Sequence, residues 1–302
     1  MRITLMSGAG NSFAMVDGFR DELPLDPARL AARACAEIAP KPDGLLLVKR
    51  PSRGGDCTME LYNADGSRPE TCGNGLRCVA KLVRDRGHVT RDEFVIESDA
   101  GPCPTTVTLE GAKVVRARVH MGTPRILARD VEIRVDGGGV DEGRVDGDSI
   151  AAARADPKAA RENQNAAASA DTSVRATLVD VGNPHCVLFV EDERLAPVTT
   201  QGPKLEKHAH FPRGTNVEYL ALRAGRLHLR VWERGVGETQ ACGSGACAAA
   251  VAAVERGIAR FPVRLELPGG TLEVESDGAG GVFLTGPVEE LSTFEWTPKN
   301  GA

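Results

Sequence analysis

The chain has 302 residues, of which 41% are hydrophobic and 26% are charged, so it is long enough for two domains with cores of ordinary size. Its formal net charge is −5 and its isoelectric point is about 5.8, with lysines and arginines scattered along the chain. This charge distribution argues against a nucleic-acid interface or a site for anionic membranes, and it favours chemistry on a small molecule.

The predicted elements begin after an N-terminus that lacks a long apolar signal core. No run of the sequence reaches the roughly 18 apolar residues of a membrane span, so we expect a cytoplasmic protein. A helix is predicted after Cys72, because apolar side chains at positions 76, 79, 80 and 83 form one stripe at helical spacing. Alternating apolar residues at positions 115, 117, 119 and 121 then predict a half-buried strand.

The middle of the chain departs from this pattern. Residues from about 137 to 172 contain three successive glycines and then an alanine-rich, polar stretch with almost no large apolar side chain. Surface loops accept long insertions at little entropic cost, so we interpret this segment as a surface insertion.

Strand and helix signals return in the last third of the chain. Alternating apolar residues at positions 227, 229 and 231 predict a strand, and a second helix is predicted after Cys242. That helix carries alanines at 246, 249, 250 and 253 and valines at 251 and 254, so it is apolar on almost every side and is expected to be central and buried. Strands around one central helix in each half indicate an α+β fold.

Two stretches of the sequence are copies of each other. Cys72-Gly73-Asn74-Gly75 and Cys242-Gly243-Ser244-Gly245 place a cysteine and two glycines at the same offsets, and each stretch runs on to a further glycine. A Gly-Asn pair, at residues 10–11 and 182–183, precedes each cysteine by a similar number of residues. The chain is therefore predicted to consist of two related halves, with one cysteine on each wall of the cleft between them.

A cysteine at the start of a glycine-rich helix lies where the helix dipole favours the thiolate over the thiol. We therefore expect the pKa of Cys72 or Cys242 to be lowered enough for one thiolate and one thiol to coexist near neutral pH. Two such groups on opposite faces of one carbon have the geometry of a racemase, in which one removes a proton and the other supplies one.

The remaining cysteines are expected to be buried structural thiols. They occupy positions 35, 57, 78, 103, 186 and 247. Cys72 and Cys78 are six apart and Cys242 and Cys247 are five apart, so neither pair has the CxxC spacing of a metal site. No metal is expected.

Longer motifs run along most of the chain. They are Gly8-Ala9-Gly10-Asn11, Asn63-Ala64-Asp65-Gly66-Ser67, Glu70-Thr71-Cys72-Gly73-Asn74-Gly75, Gly182-Asn183-Pro184-His185-Cys186-Val187, Phe211-Pro212, Thr215-Asn216-Val217, the segment from Glu233 to Gly245, and Leu267-Pro268-Gly269-Gly270. In this order they resemble the diaminopimelate epimerase family. The resemblance implies a cofactor-independent epimerase that inverts one α-carbon of LL-diaminopimelate to give the meso form, which is used for lysine and peptidoglycan. It also implies two pseudo-symmetric domains, each a mostly antiparallel sheet wrapped around a central helix, with the active site in the cleft between them.

The same resemblance carries residue roles onto this chain. Cys72 and Cys242 are implied as the catalytic thiol pair. The implied substrate contacts are Asn11, Asn63, Gly73, Asn74, Asn183, Asn216, Glu233, Arg234, Gly243 and Ser244. As a hypothesis, His185 is an auxiliary residue that holds or relays protons beside the thiols.

The resemblance also bears on the organisation of the protein. We expect one half to comprise residues 1–119 with about 288–302 and to carry Cys72, and the other to comprise residues 120–287 and to carry Cys242. The expected partner is a small-molecule amino acid substrate rather than a nucleic acid or a membrane. No cofactor is implied, and we expect a homodimer.

The chain departs from the family at a place that bears on the substrate. These enzymes usually carry Gly-Phe-Asp-Gln before an apolar strand, whereas this sequence has Lys41-Pro42-Asp43-Gly44, so Gly44 replaces a glutamine expected to contact substrate. Ser7 and Ser12 also stand where a His or Gln and an Asp are common. One alternative is therefore a related racemase for another amino acid, such as histidine. A redox protein that joins its two repeat cysteines in a reversible disulfide is a second alternative.

The expected reaction requires stabilisation of the negative charge that the substrate carboxylate gains when the α-proton leaves. Two helix N-termini aimed at that carboxylate supply oriented amide donors and roughly half a positive charge each. Arg234 can bind the distal carboxylate of diaminopimelate in bidentate fashion, which favours that substrate over an apolar amino acid.

Overall fold

The computed structural model describes residues 1–69, 72–135 and 173–298, and its helices and strands fall into two series. The first series is β1 (Arg2–Gly8), β2 (Asn11–Asp17), α1 (Pro27–Glu37), β3 (Gly44–Lys49), β4 (Cys57–Asn63), α2 (Gly73–Asp85), β5 (Glu93–Ser98), β6 (Gly101–Glu110), β7 (Lys113–His120) and β8 (Arg125–Arg134). The second series is β9 (Ser173–Asp180), β10 (Pro184–Phe189), α3 (Val198–Glu206), β11 (Asn216–Arg223), β12 (Arg226–Glu233), β13 (Gly237–Thr239), α4 (Gly243–Glu255), β14 (Val263–Leu267), β15 (Gly270–Ser276), β16 (Val282–Pro287) and β17 (Glu289–Glu295). Apart from the short β13, the second series repeats the order of the first.

Strand pairing repeats as well. Across the first half the order is β17-β1-β2-β3-β4-β5-β6-β7, and across the second it is β8-β9-β10-β11-β12-β14-β15-β16. Each half has two parallel contacts at equivalent places, β2 with β3 and β4 with β5 in the first, and β10 with β11 and β12 with β14 in the second. The other contacts in each order are antiparallel, and the antiparallel pair of β7 and β16 joins the halves. The predicted α+β fold with two pseudo-symmetric, mostly antiparallel halves is confirmed.

The last strand of each series crosses to the other half. β8 pairs with β9, and β17 returns to pair with β1. These crossings support the division into residues 1–119 with about 288–302 and residues 120–287, which stays a proposal. The predicted insertion at about 137–172 and residues 299–302 lie outside the described residues.

The helices α2 and α4 lie at the centres of their halves. The predicted apolar stripe of α2 is buried, since its residues 76, 79, 80 and 83 are at most 3% exposed. The buried ammonium of Lys81 on this helix is satisfied by Asp85 and by the carbonyl of Val114. In α4, all residues from 243 to 250 are buried. The prediction of a central buried helix is confirmed in both halves.

The first predicted strand is β7, and its alternation is interrupted once. Val115 is only half-buried, and Val114 takes its place in the core. The register against β6 gives the reason, because Leu109 pairs with Val114 and Thr108 with Arg116, which leaves Val115 as the extra residue of a β-bulge. A bulge shifts the alternation by one residue, so periodicity alone misplaces the side chain next to it.

Among the described residues, buried apolar side chains form three clusters that fix the layers of the molecule. The largest surrounds α2 and α4 and runs through both halves. A second lies between α1 and the outer face of the first sheet, and a third lies between α3 and the outer face of the second sheet. Each sheet is therefore covered by a central helix on one face and by a shorter helix on the other.

The N-termini of α2 and α4 touch at two glycines. A Cβ added to Gly243 would lie 3.2 Å from the Cα of Gly73 and 2.9 Å from Cδ2 of Leu284. A Cβ added to Gly73 would lie 2.9 Å from the same methyl group. A side chain does not fit at either position without movement of its neighbours, so the two glycines set how closely the helix starts approach.

We expect Gly243→Ala to destabilise the protein by about 1–3 kcal/mol, because the new methyl group overpacks the contact between the helix starts. The displacement should also change the rate at which iodoacetamide modifies Cys242. Urea unfolding and peptide mass spectrometry measure the two effects.

Gly257→Ala at the other end of α4 is the matched control. Gly257 has a φ of 69° and open space at its Cβ position, so its substitution costs about 1–2 kcal/mol of backbone strain but leaves the helix start in place. If both variants altered Cys242 to the same degree, the glycine contact would have no special influence on the thiol.

Candidate active site

The two cysteines of the repeat occupy the N-cap positions of the central helices. Sγ of Cys72 accepts a hydrogen bond from the backbone N–H of Gly75 at 3.2 Å, and Sγ of Cys242 accepts one from Gly245 at 3.4 Å. Both cysteines have extended backbone angles, as N-cap residues do. A backbone amide and the positive end of a helix dipole therefore meet each sulfur.

The pKa values of both thiols are raised. Burial raises the pKa of Cys72 to about 11, although the amides at the helix start lower it. The pKa of Cys242, which is 4% exposed, lies well above its usual range because of burial and then the carboxylates of Glu233 and Glu218. The expected lowering of a thiol pKa is therefore wrong, since loss of solvation outweighs the donors at the helix start.

Cys72 lines a cavity of about 300 Å³ between the halves. The wall includes His120 and Met121 at the end of β7, and it includes Asp180 and Gly182 of the second half. A small molecule in this cavity would meet groups from both halves, but of the two repeat cysteines only Cys72 lines it.

Side-chain amides connect the two helix starts. Nδ2 of Asn74 donates to Oδ1 of Asn11 and, at 3.0 Å, to the carbonyl of Ala241. Nδ2 of Asn11 donates in turn to Asp43 at 3.3 Å. Because Ala241 directly precedes Cys242, the Asn74 amide ties the start of α2 to the start of α4.

A buried imidazole and a buried carboxyl group lie beside the second thiol. Nδ1 of His185 is 2.7 Å from Oε1 of Glu218, and Nε2 of His185 is 2.9 Å from Oδ1 of Asn183. The side chains of His185 and Glu218 are both 0% exposed, and a Cβ on Gly245 would lie 2.9 Å from Oε1 of Glu218. Burial raises the pKa of Glu218, and His185 opposes this effect. The pair can therefore hold a proton at the start of α4.

Glu233 ends β12 and acts on both thiols. Its carboxylate accepts a hydrogen bond from the hydroxyl of Thr239. Its negative charge raises the pKa of Cys72 as well as that of Cys242. Burial raises the pKa of Glu233 itself. The charge of this carboxyl group therefore disfavours the thiolate at both repeat cysteines.

Asn216 holds the backbone that follows Glu233. Its Nδ2 donates to the carbonyl of Pro184 at 3.1 Å, and its Oδ1 accepts from the backbone N–H of Arg234 at 2.9 Å. The guanidinium of Arg234 is half-exposed and donates to the carbonyl of Arg213 at 3.0 Å. The predicted site residues Asn216 and Arg234 are therefore in direct contact, through the Asn216 side chain and the Arg234 backbone.

Asn63 is tied into its own turn. Its Nδ2 donates to Oγ of Ser67 at 3.0 Å, and its backbone N–H donates to the carbonyl of Ser67 at 2.8 Å. Gly44 lies opposite Asn63 in the pairing of β3 with β4. A Cβ on Gly44 would lie 2.8 Å from the carbonyl oxygen of Tyr62, so the backbone here leaves no room for a glutamine. A substrate contact for Asn63 stays a prediction.

Sequence reasoning missed Glu218. The strand registers place His185 and Glu218 of β10 and β11 at the positions that Phe13 and Leu46 of β2 and β3 occupy in the first half. The sequence repeat contained a signal for this pair. When Gly10-Asn11 is aligned with Gly182-Asn183 and the alignment is continued without gaps, Phe13 falls opposite His185 and Leu46 falls opposite Glu218. The polar pair replaces an apolar one at the helix start that carries Cys242.

The eight cysteines are free, and the six outside the repeat are buried, as predicted. Within residues 1–69, 72–135 and 173–298, no group of three or more His, Cys, Asp or Glu side chains is arranged to hold a metal ion. In the same part of the chain, no helix has the length and apolarity to cross a membrane.

The chain is similar to known proteins over nearly its whole length. A family model described as diaminopimelate epimerase matches residues 3–127 and 177–291. A diaminopimelate epimerase from Desulforudis audaxviator is 40% identical over 299 residues, which is 98% of this chain and 99% of that protein. Another from Moorella thermoacetica is 40% identical over 296 residues, which is 96% of this chain and 97% of that protein. Among solved structures, a probable proline racemase from Agrobacterium radiobacter shares the fold, with a TM-score of 0.66 and 16% identity over 98% of this chain and 92% of that chain.

We expect Glu233→Gln to increase the reactivity of Cys242 several-fold. Removal of a negative charge beside a thiol lowers the thiol pKa, so a larger fraction is thiolate at any pH where the carboxyl group of Glu233 would be ionised. The measurement is the rate of iodoacetamide modification of Cys242 at about pH 8–10, followed by peptide mass spectrometry.

Glu238→Gln is the matched control, because Glu238 lies on the neighbouring strand and pairs with Arg230 at 2.7 Å. This variant should leave the rate at Cys242 unchanged. Indistinguishable rates in Glu233→Gln and wild type would mean that the charge of Glu233 does not govern the thiol.

Proposed function

The chain belongs to the diaminopimelate epimerase family, and we propose that it interconverts LL- and meso-diaminopimelate with Cys72 and Cys242 as its two acid–base groups. The observation that carries this proposal is the pair of thiols at the N-caps of two helices whose starts touch at Gly73 and Gly243. A carbon held between those helix starts would meet one thiol on each face. The enzyme is an isomerase that acts on an amino acid, and the reaction proceeds without pyridoxal phosphate.

The reacting carboxylate of the substrate is assigned to the backbone amides of Gly73, Asn74, Gly243 and Ser244. When the α-proton leaves, negative charge develops on this carboxylate. Amides and helix dipoles that are already oriented stabilise that charge without further reorganisation. The glycine contact supports this assignment, because it lets two helix starts approach one carboxylate.

In each turnover one cysteine starts as the thiolate and the other as the thiol. The thiolate takes the α-hydrogen as a proton, and the electron pair of the broken C–H bond remains in the carbanion that the carboxylate stabilises. The opposite thiol then donates its proton to the other face of the carbon. The α-carbon is inverted and the two sulfurs have exchanged protonation states, so the reverse reaction uses the same groups in exchanged roles.

The raised thiol pKa values have a consequence for the rate. With the pKa of Cys72 at about 11, only a small fraction of it is thiolate at neutral pH. As long as the pH is below the pKa, the thiolate fraction increases about tenfold for each unit by which the pH rises. We therefore expect kcat/KM to rise with pH through the neutral range. The ammonium group of the bound substrate brings positive charge to the sulfurs and favours the thiolate in the complex.

The remaining substrate contacts are assigned to polar residues of the cleft. They are Asn11, Asn63, Asn183, Asn216, Glu233 and Arg234. Arg234, which is half-exposed, suits the distal carboxylate, because a guanidinium binds a carboxylate through two parallel hydrogen bonds. The names of the relatives at 40% identity favour diaminopimelate over another amino acid such as histidine, and they favour an epimerase over a redox protein.

We also propose that the enzyme works in the cytoplasm and that two identical chains form a dimer. In each chain, we propose that one half comprises residues 1–119 with about 288–302 and the other comprises residues 120–287. These three points rest on the resemblance to the family and on the strand crossings that link the halves.

The proposed function predicts that the reduced protein exchanges the α-proton of LL-diaminopimelate with solvent. In D₂O, without added pyridoxal phosphate or metal, NMR should show conversion to a deuterated mixture of the LL and meso isomers. Cys72→Ala and Cys242→Ala should each abolish the conversion, because inversion needs a proton donor and an acceptor on opposite faces.

Cys35→Ala is the matched control, since Cys35 is a buried thiol on α1 at the outer face of the first sheet. This variant should retain the conversion. Conversion that survives in either repeat-cysteine variant would contradict the two-thiol mechanism, and exchange with another amino acid alone would contradict the substrate.

His185→Gln is expected to change the pH profile of kcat/KM near neutral pH. A glutamine can still bond to Asn183, but Glu218 loses the imidazole that lowers its pKa and keeps its proton to higher pH. His208→Gln serves as the control, because Nε2 of His208 bonds to the carbonyl of Arg134 and its Nδ1 accepts from the backbone N–H of His210. A profile identical to that of wild type would remove His185 from the proton chemistry.

A further inference from the structure

Arg77 of α2 is a buried cation that has no anionic partner among the residues that the structure describes. Its side chain is 0% exposed, and it forms no ion pair with any of the described residues. Nη2 donates to Oδ1 of Asn74 at 2.8 Å and Nη1 donates to the carbonyl of Gly73 at 3.4 Å, while Nε has no hydrogen-bond partner within the described parts of the chain. A buried charge with so few partners is strongly unfavourable unless another interaction offsets it.

The fold does not require a cation at this position. Arg77 follows Cys72 by five residues, and the residue that follows Cys242 by five is Cys247. Cys247 is also 0% exposed, at the same turn of α4. Equivalent helices therefore pack with an arginine in one half and a thiol in the other, so the positive charge serves something other than helix packing.

The groups that face Arg77 identify Cys72 as the one that the charge affects. The titratable groups around the guanidinium are Cys72 and Cys78 on α2, Cys247 on α4 and Arg116 on β7. Burial lowers the pKa of Arg77 to about 10, so the side chain is still charged at neutral pH. Cys78 and Cys247 have pKa values raised to about 12 and take no part in the proposed reaction. Cys72 is therefore the reacting group that this cation assists.

Cys72 also faces negative charge from another element. Glu233, at the end of β12, raises the pKa of Cys72, whereas Arg77 lowers it. The cavity next to the sulfur has further titratable groups in its wall, which are Asp99, Cys103, His120, Arg125 and Asp180. Arg77 opposes Glu233 from inside the protein, where little solvent screens the interaction.

Arg77 also sets the orientation of the Asn74 amide. Because the guanidinium donates to Oδ1 of Asn74, the amide nitrogen points the other way, towards Asn11 and the carbonyl of Ala241. With the opposite orientation, Nδ2 would face the cation and Oδ1 would face the carbonyl of Ala241, and both contacts would be repulsive. The hydrogen bond from Arg77 therefore supports the amide that ties α2 to α4.

We propose, on the basis of the proposed function, that Arg77 is a positioning residue of the epimerase reaction whose buried charge favours the thiolate of Cys72 and whose hydrogen bond orients Asn74. With substrate bound, the buried cation and two helix starts face one thiolate and one carboxylate. Positive and negative charge then approach balance inside the site.

Two substitutions separate the charge from the hydrogen bonds. Arg77→Met removes both with little change in volume, and Arg77→Lys keeps the charge but loses the two-armed donor. The measurement is the rate of iodoacetamide modification of Cys72 against pH, resolved by peptide mass spectrometry on the full-length protein. At about pH 8, we expect modification to be roughly tenfold slower in Arg77→Met, because loss of a nearby cation raises the thiol pKa. Arg77→Lys should remain within about twofold of wild type.

Steady-state kinetics supply the second readout. In Arg77→Met, the acid limb of the profile of kcat/KM against pH should move to higher pH. In Arg77→Lys, the acid limb should stay in place, but kcat should fall because the Asn74 side chain is held less firmly. A role confined to packing would lower stability or kcat in both variants without moving the limb.

Lys81→Met is the matched control, because Lys81 is a buried cation one turn further along α2 that is paired with Asp85 at 2.8 Å. It should leave the Cys72 profile unchanged. Identical Cys72 profiles in wild type and Arg77→Met, or an equal shift in Lys81→Met, would overturn the proposal. Should circular dichroism show Arg77→Met unfolded, Arg77→Gln, which is neutral but keeps a donor, takes its place under the same criteria.

The modification assay needs no turnover of diaminopimelate. A wild-type protein that fails to convert diaminopimelate but shows the Arg77 effect on Cys72 would therefore overturn the proposed substrate and leave the electrostatic role standing. Conversion in wild type without any Arg77 effect would overturn this inference alone.

Discussion

The contact between Gly73 and Gly243 is the constraint on which the site depends, because it brings two helix N-termini against each other. Both ends carry partial positive charge, so their approach is unfavourable until anions lie between them. The two helix ends are held together against this repulsion by the sheets that wrap α2 and α4. The hydrogen bond from Asn74 to the carbonyl of Ala241 also holds them. A thiolate and a substrate carboxylate then enter a region whose positive potential is already in place.

The duplicated fold is not matched by duplicated chemistry. The first half has Arg77 where the second has Cys247, and the second half has a His185–Glu218 pair where the first has apolar side chains. The reason lies in the substrate, because inversion of an α-carbon exchanges only the position of hydrogen. The carboxylate, the ammonium and the side chain keep distinct partners, so two identical walls could not bind them.

Burial has two opposite effects on this chemistry. It raises the pKa values of Cys72 and Cys242, which reduces the amount of thiolate available to start the proposed reaction. The same exclusion of water strengthens the hydrogen bonds and dipoles that stabilise the developing carbanion. In the proposed reaction, Glu233 and Arg77 therefore act by adjusting the protonation of the thiols, without contact to the α-carbon.

Much of the fold and of the candidate site followed from the sequence, because it rests on local patterns. The repeat predicted two halves and two helix starts, and apolar spacing predicted the buried faces of α2 and α4. The bulge at Val115, the raised thiol pKa values and the absence of room for a side chain at Gly44 could not be predicted this way, because each depends on neighbours from distant parts of the chain. The sequence by itself determined which residue types stand at the two helix starts, since motif and periodicity are local properties. Only the tertiary structure decided how close those starts lie, how deeply each sulfur is buried and which charges face it, because packing and solvent exclusion arise when the two halves come together.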